Sequence, residues 1–162
     1  LGGTSVKSKP YIPPKDPTFK STISSEKNSG FVNIAISTEW GNCYPYETGI
    51  KFFALNIENK TANVVRIVWE KSSVSFGGNS YPPFISNQKY SDASQPMSPT
   101  VIAGKGIIRK DVYSSSQPYY INEDPFRGWN MHAIRENQVS IVLCIQSGGV
   151  EDYYTISVDR ET

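Results

Sequence analysis

The sequence predicts an all-β fold, a β-sandwich of about seven to nine short antiparallel strands with long loops between them. Three observations carry this. First, 16 Ile and 12 Val stand against 3 Leu and 6 Ala, and branching at Cβ suits a pleated sheet better than a helix. Second, apolar and polar residues alternate with period two over several segments. Third, clusters of Gly, Asn, Ser and Pro punctuate those segments at intervals of about 8–15 residues. The uneven spacing favours a sandwich over an up-and-down barrel. No internal repeat is visible.

The first clear strand starts at Phe31, where Val32, Ile34 and Ile36 point one way and Asn33, Ala35 and Ser37 the other. Residues 39–49 are aromatic and Gly-punctuated and read as a connection. In Ile50–Glu58, Phe53, Leu55 and Ile57 share a face. Polar residues 59–63 then lead into the apolar run Val64–Trp69, which predicts a hairpin, with Trp69 in the core. Val74–Phe76 and Ser80-Tyr81 flank the turn Gly77-Gly78-Asn79, and Phe84-Ile85 comes after the stop signal Pro82-Pro83. Residues 88–99 read as a long polar loop. Thr100–Ala103 and Ile107–Val112 flank a Gly turn, and residues 114–122 are polar and aromatic. Asn130–Asn137 is the one stretch suited to a helical turn or two. The end is the clearest hairpin: Val139–Ile145 and Tyr153–Val158 around Gly148-Gly149.

A length of 162 residues makes one domain. Residues 1–29 hold Pro10, Pro13, Pro14 and Pro17, five lysines and two acids, with no apolar period. They read as a flexible tether, and residues 30–162 as the sandwich. The alternative is that Tyr11-Ile12 and Phe19 pack as an irregular first strand. The formal charge of +1 lacks the one-signed field that nucleic-acid binding needs. No run approaches the roughly 18 apolar residues of a membrane span.

Cys43 and Cys144 stand alone, with no CxxC to suggest zinc or a redox couple. In an oxidising compartment they form one bridge across a long loop; otherwise they are two buried thiols acting as small hydrophobes. His132 is the sole histidine. Neither GxSxG nor a Cys-centred signature accompanies it, so a hydrolase using His132 or Cys144 is the weakest reading, and no catalytic residue, metal or cofactor is expected. The Gly pairs sit between strands and serve turns rather than phosphates. Asn59-Lys60-Thr61 matches a glycosylation sequon.

Aromatic residues are the least ordinary feature. Tyr44, Tyr46, Tyr81, Tyr90, Tyr119 and Tyr120 fall in predicted loops. A ring with an apolar face and a polar tip is enriched at recognition surfaces. These six are the candidate binding surface, for a protein or a carbohydrate.

The runs Asn56-Ile57-Glu58-Asn59-Lys60-Thr61 and Ile67-Val68-Trp69-Glu70-Lys71-Ser72-Ser73 are succeeded by Lys89-Tyr90, by the segment from Pro99 to Gly104, and by the closing strand pair. This arrangement, over residues 50–158, resembles bacterial envelope lipoproteins of unassigned function with an immunoglobulin-like β-sandwich domain. The small-residue start Gly2-Gly3-Thr4-Ser5 and the polar tether are similar to the segment next to the acylated cysteine in such proteins. The resemblance implies an immunoglobulin-like sandwich anchored through an N-terminal lipid, on a cysteine outside this chain, in the periplasm or outer membrane. It transfers no catalytic residue. The expected function is a non-enzymatic binding or assembly module whose partner is another envelope protein or a surface glycan; the alternative is a secreted carbohydrate-binding or adhesin module using the loop tyrosines.

Overall fold

The computed structural model describes residues 10, 15–86, 88–93 and 95–162. Among them it is nearly all β, with twelve strands and one 3-10 turn at Tyr90–Asp92. One sheet runs β1 (Phe19–Ser25), β12 (Val150–Arg160), β11 (Gln138–Ser147), β4 (Val65–Phe76), β5 (Asn79–Tyr81), with β7 (Thr100–Ile102) also paired to β4. The second runs β2 (Val32–Cys43), β3 (Glu47–Asn59), β8 (Ile107–Ser114), β6 (Pro83–Ile85). A separate ribbon pairs β9 (Pro118–Ile121) with β10 (Gly128–Met131). Every pairing is antiparallel.

The two sheets enclose one core. Ile50, Phe53, Leu55, Ile57 and Val112 come from the second sheet; Val65, Ile67, Trp69, Ile141, Leu143, Ile145 and Ile156 come from the first. All are essentially inaccessible to solvent. The alternation that predicted the strands is the alternation that fills this layer. Trp69 lies in it as expected, its indole N–H donating to Thr100 Oγ1 at 2.8 Å. The closing hairpin pairs Val139 with Val158 and Ile141 with Ile156. Its Gly148 and Gly149 have φ of +55° and +79°, which a two-residue turn requires.

Several expectations change. There are twelve strands rather than seven to nine, and β2, β3 and β4 are 12, 13 and 12 residues long rather than short. The segment 39–49 is no connection: β2 runs on to Cys43 and β3 begins at Glu47. A register shift at Glu39/Trp40 breaks the alternation there and hides the strands' continuity. β3 and β4 are not a hairpin either, because they belong to different sheets. The Asn59 side chain makes that corner. Fully buried, it donates to the carbonyls of Asn63 and Ile102 at 2.7 and 3.0 Å and accepts from the Thr61 N–H at 2.9 Å. Asn130–Asn137 is not helical: Met131 ends β10, and Ile134 forms an isolated bridge with Ile50.

The tether reading of residues 1–29 fails over its second half. Phe19–Ser25 is a strand paired along its length with β12, and Phe19 packs against Trp40 with ring centroids 6.0 Å apart. Tyr11 and Ile12 lie outside the described residues. A buried carboxylate ties down the link between β1 and β2. Asp152 accepts from the Ser25 and Ser29 hydroxyls and from the N–H groups of Lys27 and Ser29, at 2.8 and 3.2 Å for the latter two. Burial pushes this acid up, but the four donors outweigh it and bring it from 3.8 down to about 2.

The cysteines are two free buried thiols rather than a disulfide. Leu143 and Ile145 point into the core, so Cys144 between them points to the outer face of the first sheet. Cys43 ends β2 in the other sheet. Burial raises both thiols above their ordinary pKa, with Glu151 adding to the effect at Cys144.

Because the Asp152 pKa is lowered on folding, its contribution is fully present above about pH 4 and is lost as pH falls towards 2. Asp152→Asn is expected to cost about 2 kcal/mol at pH 7. Urea melts at pH 7 and pH 2.5 should show that gap shrinking by more than half at the lower pH.

Candidate functional site

The aromatic residues converge where the β9–β10 ribbon meets the β2–β3 turn. Three features fix the ribbon. Ile50 and Ile134 exchange backbone hydrogen bonds at 2.8 and 2.9 Å. Gly49 permits that approach, since a Cβ there would lie 2.7 Å from the Ile134 carbonyl oxygen. The third is Gln117, which is 1% exposed. Its Oε1 accepts from the Ser114 N–H at 2.8 Å and its Nε2 donates to the carbonyls of Lys51 and His132, both at 2.9 Å. Its own carbonyl accepts from the His132 N–H at 2.7 Å. One side chain thus joins β8, β3 and the segment after β10.

On this frame the rings form a connected series. Phe52 meets Tyr113 at 5.3 Å between centroids, Tyr113 meets Phe84 at 5.6 Å, and Phe84 meets Tyr90 at 5.7 Å. Tyr90 then meets Trp129 at 6.3 Å, and Trp129 meets its cross-strand partner Tyr120 at 5.6 Å. The series starts in the domain and ends in solvent: Phe84 is fully buried, while Tyr90, Trp129 and Tyr120 are 42–52% exposed. Tyr44 and Tyr46 approach Phe126 edge-on at 5.4 and 5.3 Å. The two groups border one shallow cavity of about 280 Å³, lined by Tyr44, Tyr90 and Trp129 together with Asn42 and Lys51. Asn42 is exposed, and its Oδ1 accepts from Thr48 Oγ1 at 2.6 Å.

The six candidate tyrosines therefore divide. Tyr44 and Tyr90 line the cavity; Tyr46 joins them through Phe126 and Tyr120 through Trp129. Tyr119, next to Tyr120 on the strand, faces the other side of the ribbon, where it stacks on His132 at 3.9 Å. Tyr81 is elsewhere. It sits on β5 beside Phe76 and lines a separate cavity of about 490 Å³ with Trp69, Pro82, Pro83, Pro96 and Met97. There β4 bulges between Val68 and Ser73, and Ser72 Oγ closes the gap by donating to the Val68 carbonyl and accepting from the Cys144 N–H.

Trp129 and Phe126 are the rings sequence reasoning missed. Gly128-Trp129-Asn130 adjoins the stretch read as helical, and a four-residue strand is too short for its alternation to register. His132 is engaged by Glu47, its Nδ1 lying 2.8 Å from Glu47 Oε2, and by the Tyr119 stack. Cys144 lies on the first sheet among Lys71, Glu151 and Tyr153. Among the described residues no three His, Cys, Asp or Glu side chains gather as a metal site would require, and no helix is long and apolar enough to cross a membrane.

Gln117→Ala leaves a buried N–H and two part-buried carbonyls without their partner. A loss of about 2–4 kcal/mol is expected, together with faster hydrogen exchange at the amides of Met131 and His132 than at the β11 core. Comparison with family models, with curated proteins and with solved structures returns no match. The functional reading therefore rests on this surface.

Proposed function

We propose that the chain is a non-enzymatic binding module of a bacterial cell-envelope lipoprotein, and that its ligand is a glycan held on the aromatic end. The observation that carries this is the half-exposed trio Tyr90, Trp129 and Tyr120, of which Tyr90 and Trp129 line one cleft with Tyr44. Single exposed aromatic residues are ordinary; a contiguous set around a concavity marks a recognition surface. Pyranose rings present C–H groups on their faces and hydroxyls at their rims. Aromatic faces match the first, and the Asn42 amide, the Lys51 ammonium and the tyrosine hydroxyls match the second. A flat protein partner would favour a drier and less concave patch.

The strand order supports the immunoglobulin-like reading. Lettered from β2, with β5 as C′ and β8, β11 and β12 as E, F and G, the sheets order as A-B-E-D and G-F-C-C′, with β1 added beyond G and β7 beside C. In that lettering Tyr44 and Tyr46 lie on the A–B turn, and Tyr120 lies on the β9–β10 ribbon between E and F. His132 contacts Glu47 and Tyr119, whereas Cys144 lies among Lys71, Glu151 and Tyr153.

Titration with a panel of oligosaccharides should quench tryptophan fluorescence for at least one glycan. Trp129→Ala should weaken that affinity about tenfold, while Trp40→Phe and the Tyr81→Ala change on the other cavity leave it unaltered. No response across the panel overturns the glycan and returns the surface to a protein partner. Labelling of the full-length protein with a fatty-acid analogue in its host should place label in the membrane fraction; an unlabelled soluble protein overturns the anchor alone.

A further inference from the structure

Two sheets have four edges, and three of them are blunted. β5, β7 and β6 are three residues each, and β6 begins at Pro83. β1 is seven residues and carries Lys20. Shortness, proline and lysine are the usual devices that keep an edge from pairing with another chain. β2 has none of them. It is twelve residues long, VNIAISTEWGNC, with no Pro, Lys or Arg and with Glu39 as its one charge. It keeps regular register with β3 from Val32 to Glu39, and the shift at Glu39/Trp40 comes only beyond that flat stretch. Among the described residues no strand pairs with its outer side.

We propose that Val32–Thr38 is the interface through which two copies of this chain join, antiparallel and centred on Ala35, into one continuous sheet of eight strands. The occupant is a second copy because the segment is complementary to itself. With Ala35 opposite Ala35, Ile34 falls opposite Ile36, Asn33 opposite Ser37, and Val32 opposite Thr38. Ile34 and Ile36 pack against the core and are only partly covered; their counterparts in the second copy complete the cover. Asn33, Ala35 and Ser37 point outward, are exposed and small, and present no bulk or charge to a neighbour. Opposed apolar pairs and opposed small polar pairs stabilise an antiparallel ladder, and opposed like charges disrupt it. A two-fold axis through Ala35 makes the contact closed, so it ends at a dimer rather than a fibre. The inference is independent of what the aromatic end binds.

Light scattering coupled to size exclusion should give a mass twice the 18.0 kDa of the chain. Ala35→Lys places two ammonium groups opposite each other at the axis and should weaken the dimer at least tenfold, with the β circular-dichroism spectrum unchanged since residue 35 is exposed in the single chain. Thr22→Lys on the β1 edge should leave the dimer intact. Ala35→Cys should form an intermolecular disulfide on mild oxidation, which the wild type, with both thiols buried, should not. A monomer at about 100 µM, a dimer indifferent to Ala35→Lys, or a dimer that Ala35→Cys does not cross-link each overturns the proposal.

Discussion

Each time the chain leaves one sheet for the other, it carries backbone N–H and C=O groups past the rim of a water-free core. An unpaired group there costs roughly 1–3 kcal/mol, a large part of a small domain's stability. The fold meets this constraint with buried polar side chains that make several hydrogen bonds at once. Asn59 does so between β3 and β4, Asp152 between β1 and β2, and Gln117 between β8 and the ribbon. All three are at most 1% exposed. The apolar alternation explains why two sheets form. These three residues satisfy the backbone at three of the places where the chain leaves a sheet.

The same distinction governs how much of the fold is legible in the sequence. Val139–Ile145 and Tyr153–Val158 are legible because an apolar stripe of period two and a Gly-Gly turn are local signals. The Asn59–Asn63 segment misleads because a hairpin loop and an inter-sheet corner have the same composition. They differ in whether the asparagine turns outward to water or inward to the carbonyl of Ile102, forty-three residues away in sequence. Lys20, Ser25 and Ser29 look like tether composition for a similar reason: their partners on β12 lie more than a hundred residues downstream. The cysteines pose a choice of face, and the alternation of β11 decides it only once Leu143 and Ile145 are known to point inward.

The aromatic end is half legible. Composition points to the tyrosines: two of the six line one cleft, and two more join it through Phe126 and Trp129. Composition does not show that Phe126 and Trp129 link them, because a ring's neighbours across a ribbon depend on register. The cleft owes its shape to groups with no recognition chemistry. Gly49 allows the ribbon to approach β3, and Gln117 holds it there. Tyr90 enters from a 3-10 turn on the far side, with Phe84 behind it. Rings backed by a packed interior lose little conformational freedom on binding, which lowers the cost of association.

One strand carries both surfaces. β2 begins in the flat segment around Ala35 and ends at Cys43, on the wall of the aromatic cavity. The shift at Glu39/Trp40, where β3 carries the extra residue Lys51, separates the two. In an antiparallel pair centred on Ala35 the two copies of Cys43 point in opposite directions. At about 3.4 Å per residue they stand roughly 55 Å apart. The recognition sites of such a dimer cannot converge on one small ligand. They suit a ligand that repeats, and for a repeating polymer the second contact forms after the first at high effective concentration. A shallow cleft gains most from that arrangement, so the proposed dimer edge and the proposed glycan cleft would act as parts of one device.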